Sequence, residues 1–378
     1  MELDLNWILL GLPVAFALGW VASRLDWRQL RLENRHAPKA YFRGLNFLLN
    51  EQQDQAIDAF IEAVQNDPDT SELHFALGNL FRRRGEYERA VRVHEHLLSR
   101  ADLAESDRQR AQHALALDFL KAGLLDRAED ALRKLLGTPF EAEALLALLA
   151  IYERSRDWAQ AADIAAQLER RGQQGRFAVR RAHYLCEQAA ASEPEVATDL
   201  LRQAQTIASD NARAGLQLAR LQQQTGTPEA AWDTLVATAR QAPGAMPLLA
   251  KTLVELATAG GKIEAARALL QAAYDESPSL DVMEALVALD APVRDPRDRY
   301  LAHLEREPSL VAAARWIDGE KLEHEQFHPL VQRALDHAVK PLTRYRCAAC
   351  GFEARQHFWQ CPGCQSWDSY PPRRIEEL

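Results

Sequence analysis

The sequence predicts an all-α chain in three parts: a membrane-spanning helix, a solenoid of paired helices, and a small C-terminal metal domain. Three observations carry that reading. Residues 5–23 hold no charged side chain, small residues recur about every 34 positions through the middle, and four cysteines lie close together near the end. The composition agrees. Of 378 residues 47% are hydrophobic but only 7% aromatic, and Ala and Leu abound beside Glu, Arg and Gln, a mixture that favours helix. The net charge of −9 runs against broad binding of a phosphate backbone, which needs clustered positive charge, so nucleic acid is not an expected partner.

As a helix, the uncharged stretch 5–23 would rise roughly 29 Å, about one hydrocarbon core. Trp7 and Trp20 stand near its two ends, where interfacial aromatics belong, and Pro13 is better tolerated in a membrane helix than in a soluble one. A cleaved signal peptide would want a basic start and a shorter apolar run, whereas this chain opens with Glu2 and Asp4. Arg24, Arg28, Arg31, Arg35 and Lys39 all follow the stretch and no Lys or Arg precedes it. Residues 1–24 are therefore expected to be a single-pass anchor with the C-terminal bulk in the cytoplasm.

The middle of the chain repeats itself. Small residues recur at Ala56, Ala90, Ala128, Ala161, Ala197, Ala231 and Ala266, at spacings of 34, 38, 33, 36, 34 and 35. Five positions before four of them stands a glycine (Gly85, Gly123, Gly226, Gly261), and twelve after three of them a proline (Pro68, Pro243, Pro278). Gly44, Gly78 and Ala116 lie twelve before the first three. This is the pattern of tetratricopeptide (TPR) repeats, each a pair of helices, stacked into a superhelical solenoid. Small residues are needed where the two helices cross closely, glycine ends the first helix in a left-handed cap, and proline closes the second. Phe47, Phe81, Phe119 and Tyr152 recur on the first helices as packing between units. Residues 25–278 are read as about seven units, the fifth lacking its turn glycine. Residues 279–342 read as degenerate repeats with shorter helices broken by Pro292, Pro296 and Pro308, ending in a helix near 326–340.

Residues 343–378 carry the metal chemistry. Cys347 and Cys350, then Cys361 and Cys364, form two C-x-x-C pairs, each able to wrap a turn around one ion and donate two thiolates. Four thiolates suit tetrahedral zinc or iron, and the choice between them stays open. Gly351, Pro362 and Gly363 permit the sharp turns that aim amide hydrogens at sulfur. Two disulfides are the alternative, disfavoured in a compartment that keeps thiols reduced. Cys186, alone in a helical stretch, reads as a small buried hydrophobe.

No catalytic constellation emerges. His324-Glu325-Gln326-Phe327-His328 fits the H-E-x-x-H pattern of zinc peptidases, but Pro329 is expected to disfavour helical geometry at His328, and the residues read as surface or packing groups. Arg82, Arg83 and Arg84 read as a solvated helix end. From the repeat register, Asn79, Arg82, Arg110, His113, Glu153 and Arg220 are candidate groove residues for an extended peptide or a partner's helix.

With all three parts in place, the chain resembles the lipopolysaccharide assembly protein B (LapB, or YciM) family over essentially its whole length. The resemblance rests on WILLGLPVAFALGWVASR, on AYFRGLNFLLNEQQDQAIDAFIEAV in the first repeat, and on YRCAACGFEARQHFWQCPGCQSWDS at the metal end. It implies a rubredoxin-like domain whose four ligands map onto Cys347, Cys350, Cys361 and Cys364, holding one iron or zinc ion. It further implies a non-enzymatic adaptor of the inner membrane, facing the cytoplasm, that restrains lipopolysaccharide synthesis by promoting degradation of the LpxC deacetylase by the FtsH membrane protease. Other lipopolysaccharide synthesis or transport proteins are further expected partners. The rival expectation is electron transfer through a four-cysteine iron centre, with the repeats as a docking surface.

Overall fold

The computed structural model describes residues 13–20, 39–67, 69–290, 295–318, 320–321 and 324–378. The proposed anchor therefore lies mostly outside the described residues, as do Pro68 and Pro292. Residues 13–20 are helical and exposed, and among the described residues no helix is long and apolar enough to cross a membrane. The chain divides into two compact units, one ending at Ile151 and one spanning Tyr152–Leu378. Helix Glu141–Ser155 runs through the boundary.

In the first unit, helices Lys39–Leu49 and Gln53–Asn66, Ser71–Arg84 and Tyr87–Ser99, and Glu105–Ala122 and Leu125–Arg133 pack as successive pairs. The second unit continues with eleven described helices, from Trp158–Arg170 to His328–Val339, and ends in a small ribbon. The repeat register holds throughout. Ala56, Ala90, Ala128, Ala161, Ala231 and Ala266 are fully buried, and Ala197 is 4% exposed, so each crossing is as tight as a methyl group allows. Phe81, Phe119 and Tyr152 are buried too, and Phe47 packs against the core of the first two pairs.

The turns follow the same register in every unit but the fifth. Gly85, Gly123, Gly226 and Gly261 all take left-handed backbone angles, φ 66–85°. Glu51 and Arg156 occupy the equivalent place, five before their alanines, with φ 58° and 60° despite carrying side chains. Only the fifth unit abandons the device, entering its second helix through Pro194 instead. Left-handed geometry costs a side-chain-bearing residue about 1 kcal/mol. Arg156→Gly is therefore expected to stabilise the chain by about that amount in urea denaturation, and a neutral or negative result would contradict the strain.

Past Pro278 the helices shorten as expected: Leu280–Asp290, Pro296–Arg306 and Leu310–Asp318 have 11, 11 and 9 residues. Pro296 does not break a helix but starts one at its first turn, where its missing N–H has no partner to lose. The buried Asp290 carboxylate ties this region together, accepting from Arg267 Nε at 2.9 Å and Arg299 Nε at 2.9 Å. Burial works against its charge, but the hydrogen bonds and charges of Arg299 and then Arg267 outweigh it and hold the carboxyl below the usual range. A depressed native value means the contribution is full above the unfolded pKa of about 4 and is lost as pH falls through the native one. Asp290→Asn is expected to cost about 2 kcal/mol at neutral pH, a gap that narrows as pH falls when unfolding is followed from pH 7 downward.

Candidate metal centre

The ribbon is built from two knuckles of like geometry. Strands Tyr345–Arg346 and Glu353–Ala354 pair antiparallel, with Tyr345 opposite Ala354, and a bridge joins Gln360 to Trp367. In the first knuckle Cys347 N–H donates to Phe352 O, and Gly351 turns back onto Cys347 O with φ 78°. In the second, Cys361 N–H donates to Ser366 O, and Gln365 turns back onto Cys361 O with φ 60°. Each knuckle thus presents its two sulfurs from one tight turn.

The four sulfurs converge. All lie within 4.8 Å of one another, with Cys347 Sγ 3.8 Å from Cys364 Sγ and Cys350 Sγ 3.7 Å from Cys361 Sγ. A tetrahedron of thiolates about 2.3 Å from one ion has edges of about 3.8 Å, so the donor set fits a single tetrahedral metal. No cysteine is disulfide-bonded. Burial opposes ionisation of Cys347, but the Ser369 hydroxyl and the Cys350 and Ala349 amides outweigh it and bring the thiol down to about 6. The Ser366 hydroxyl and amide likewise lower Cys364. These donors favour the thiolate, the form that binds metal, at Cys347 and Cys364, while the Cys350 thiol is pushed up to about 12. An ion there, zinc or iron, would clamp the two knuckles into one body. Cys186 is fully buried and its thiol is pushed up to about 12 by that burial, as an inert packing group requires.

The H-E-x-x-H segment does not form a second site. Contrary to the expectation from Pro329, His328 is helical (φ −50°, ψ −47°), because the proline fits the first turn of helix His328–Val339. His324 lies outside helical geometry at φ −112°, ψ 67°, so the two imidazoles share no helix face, and His328 Nε2 meets Ile317 O at 3.1 Å. Among the described residues, the four cysteines are the one cluster of potential ligands.

The expected groove residues fall in both units. Arg82 is held by Asn79 and by Asp118 at 2.8 Å, Arg110 lies 4.1 Å over the Phe75 ring, and His113 stacks on Phe140 at 4.9 Å. Arg220 reaches Thr252 Oγ1 at 3.4 Å. Glu153 has a different neighbour: it pairs with Arg180 at 2.6 Å and accepts from Trp367 Nε1 of the ribbon at 2.9 Å. The ribbon is seated on the helices of its own unit. Asp368 Oδ1 lies 2.9 Å from His183 Nε2, and the Trp367 and His183 rings stack at 4.8 Å. Arg374 grips Asp281 through two nitrogens at 2.6 and 2.9 Å. Sequence reasoning missed these contacts. The available signal was Trp367 itself, an indole in a ribbon too small to own a core.

Paired-helix repeats seated against a four-cysteine ribbon define a TPR protein with a rubredoxin-type metal domain. Residues 73–109 match the tetratricopeptide repeat family and residues 345–371 the rubredoxin metal binding domain. The chain is 33% identical over 388 residues to lipopolysaccharide assembly protein B of Escherichia coli (strain K12), covering 98% of each. It is 29% identical over 396 residues to the protein of that name from Haemophilus influenzae, again covering 98% of each. Among solved structures, Naa15/Naa10 bound to HypK-THB is similar with a TM-score of 0.46 at 13% identity, over 80% of this chain and 47% of that one. The chain belongs to the lipopolysaccharide assembly protein B family.

Proposed function

We propose that this protein is a non-enzymatic adaptor of lipopolysaccharide assembly, anchored in the inner membrane by residues 1–24 with its bulk in the cytoplasm. In this reading it delivers the LpxC deacetylase to the FtsH membrane protease and so restrains lipopolysaccharide synthesis. The observation that carries the proposal is the match along 98% of the chain to proteins named for lipopolysaccharide assembly, on a fold whose repeats suit protein docking. Asn79, Arg82, Arg110 and His113 in the first unit, and Glu153 and Arg220 in the second, are its docking candidates, with other lipopolysaccharide synthesis or transport proteins as further clients. Tethering would raise the effective concentration of a client near a membrane protease without any added contact. Depleting the protein should lengthen the half-life of LpxC several-fold in a pulse-chase. An unchanged half-life would refute the adaptor role.

A further inference from the structure

The ribbon and the C-terminal tail are seated on the helices of their unit, with Leu248 packed against the ribbon core and two groups of polar and aromatic contacts beside it. At the first, Trp367 lies edge-on to Trp158 and Tyr184, with ring centroids 6.0 and 5.8 Å away, stacks on His183 and donates to Glu153, while Asp368 meets His183. At the second, the C-terminal tail braces two helix starts. The Glu376 carboxylate accepts from Leu310 N–H at 2.5 Å and Val311 N–H at 3.2 Å, and Glu377 accepts from Leu280 N–H at 2.7 Å. These are amides that a helix leaves unpaired, and carboxylates suit that end of the dipole. Arg374 locks the tail to Asp281, the second residue of helix Leu280–Asp290.

We propose that the ribbon is a metal-held latch: closed, it covers Glu153, Trp158 and the face of helix Phe177–Ala190 with Trp367 and Asp368 and braces helices Leu280–Asp290 and Leu310–Asp318; without the ion, it lets go of both. The inference rests on the metal reading of the four cysteines and not on which clients the adaptor serves. Its physical basis is that a segment of this size, with two short strands and four cysteines gathered at its centre, cannot hold its fold alone. Docking and metal binding then stabilise the same folded ribbon, so each must strengthen the other by one common factor. Opening exposes Glu153, so metal loading decides whether partners reach that part of the repeat surface.

The reciprocity supplies the test. Full-length protein, metal-loaded or stripped by chelator, is compared by amide hydrogen exchange, with metal content measured in parallel. Stripping should lower protection of Phe177–Ala190 and Leu280–Asp290 at least about tenfold while helix Ser71–Arg84 of the first unit is unaffected. In chelator competition, Asp281→Ala, which alters a repeat helix and no ligand, should weaken metal retention about five- to fiftyfold. Arg346→Ala, which loses only an exposed salt bridge to Glu353 within the ribbon, should weaken it less than about threefold. Unchanged protection after stripping, equal loss of protection in Ser71–Arg84, or wild-type metal retention by Asp281→Ala would each overturn the latch. Metal that cannot be stripped from a Cys361→Ser chain would overturn the ligand reading beneath it instead.

Discussion

Cys361→Ser is expected to abolish metal binding and unfold the ribbon while leaving the repeats helical. The change is chemically small, one sulfur to one oxygen, but the residue is fully buried at the centre of the sulfur cluster. A structural four-thiolate site contributes on the order of 10 kcal/mol, far more than the ribbon's own apolar burial could replace. Purified wild-type chain should carry one zinc or iron ion, and the variant none after dialysis against a mild chelator. Cys186→Ser is the control: its thiol is buried among helices and protonated, so metal content should not change even if stability falls. If Cys361→Ser retained a full equivalent of metal, the tetrahedral assignment would be wrong. A visible spectrum and a redox titration of the wild-type protein then separate iron from zinc, and with it the electron-transfer alternative, since zinc is redox-silent.

The metal site was legible because its chemistry is local. Two C-x-x-C pairs specify two tight turns, and tight turns specify where sulfur points. The repeats were legible for a related reason. A crossing that admits only a methyl group must be written as Ala at a fixed register, and all seven predicted alanines are buried. The left-handed turn was read only where glycine announced it. Glu51 and Arg156 hold the same geometry without the announcement, since packing of the flanking helices overrides the local preference. Pro329 misled for the opposite reason: the restriction it places on its neighbour is statistical, and a first-turn position escapes it. The seating of the ribbon was not legible at all. Glu153 and Trp367 are separated by more than two hundred positions, and no periodicity links a helix surface to a loop so distant. The register makes Glu153 a candidate groove residue but gives no sign that its carboxylate meets Arg180, Tyr184 and Trp367.

The second large effect is expected in the first unit, where Asp118→Ala should cost about 3–5 kcal/mol. Asp118 is fully buried and bridges two cationic or potentially cationic groups: His94 Nδ1 at 2.5 Å and Arg82 Nη1 at 2.8 Å. His94 sits four residues after Ala90, where the other units place Phe60, Leu132, Ala165, Leu201, Leu235 and Leu270. A polar ring thus stands at a packing position that the other units fill with apolar side chains, and Gly78 makes room for it. A methyl group at Gly78 would lie 2.5 Å from the ring. Removing the carboxylate leaves His94 and the Arg82 head without their shared acceptor, which is why the single change is so costly. Restoring the apolar residue should offset much of that cost. Combined with His94→Leu, Asp118→Ala is expected to be less destabilising than the two single changes summed, by about 1–3 kcal/mol in a double-mutant cycle read by urea denaturation. Strict additivity would mean that Asp118 and His94 do not act as a unit.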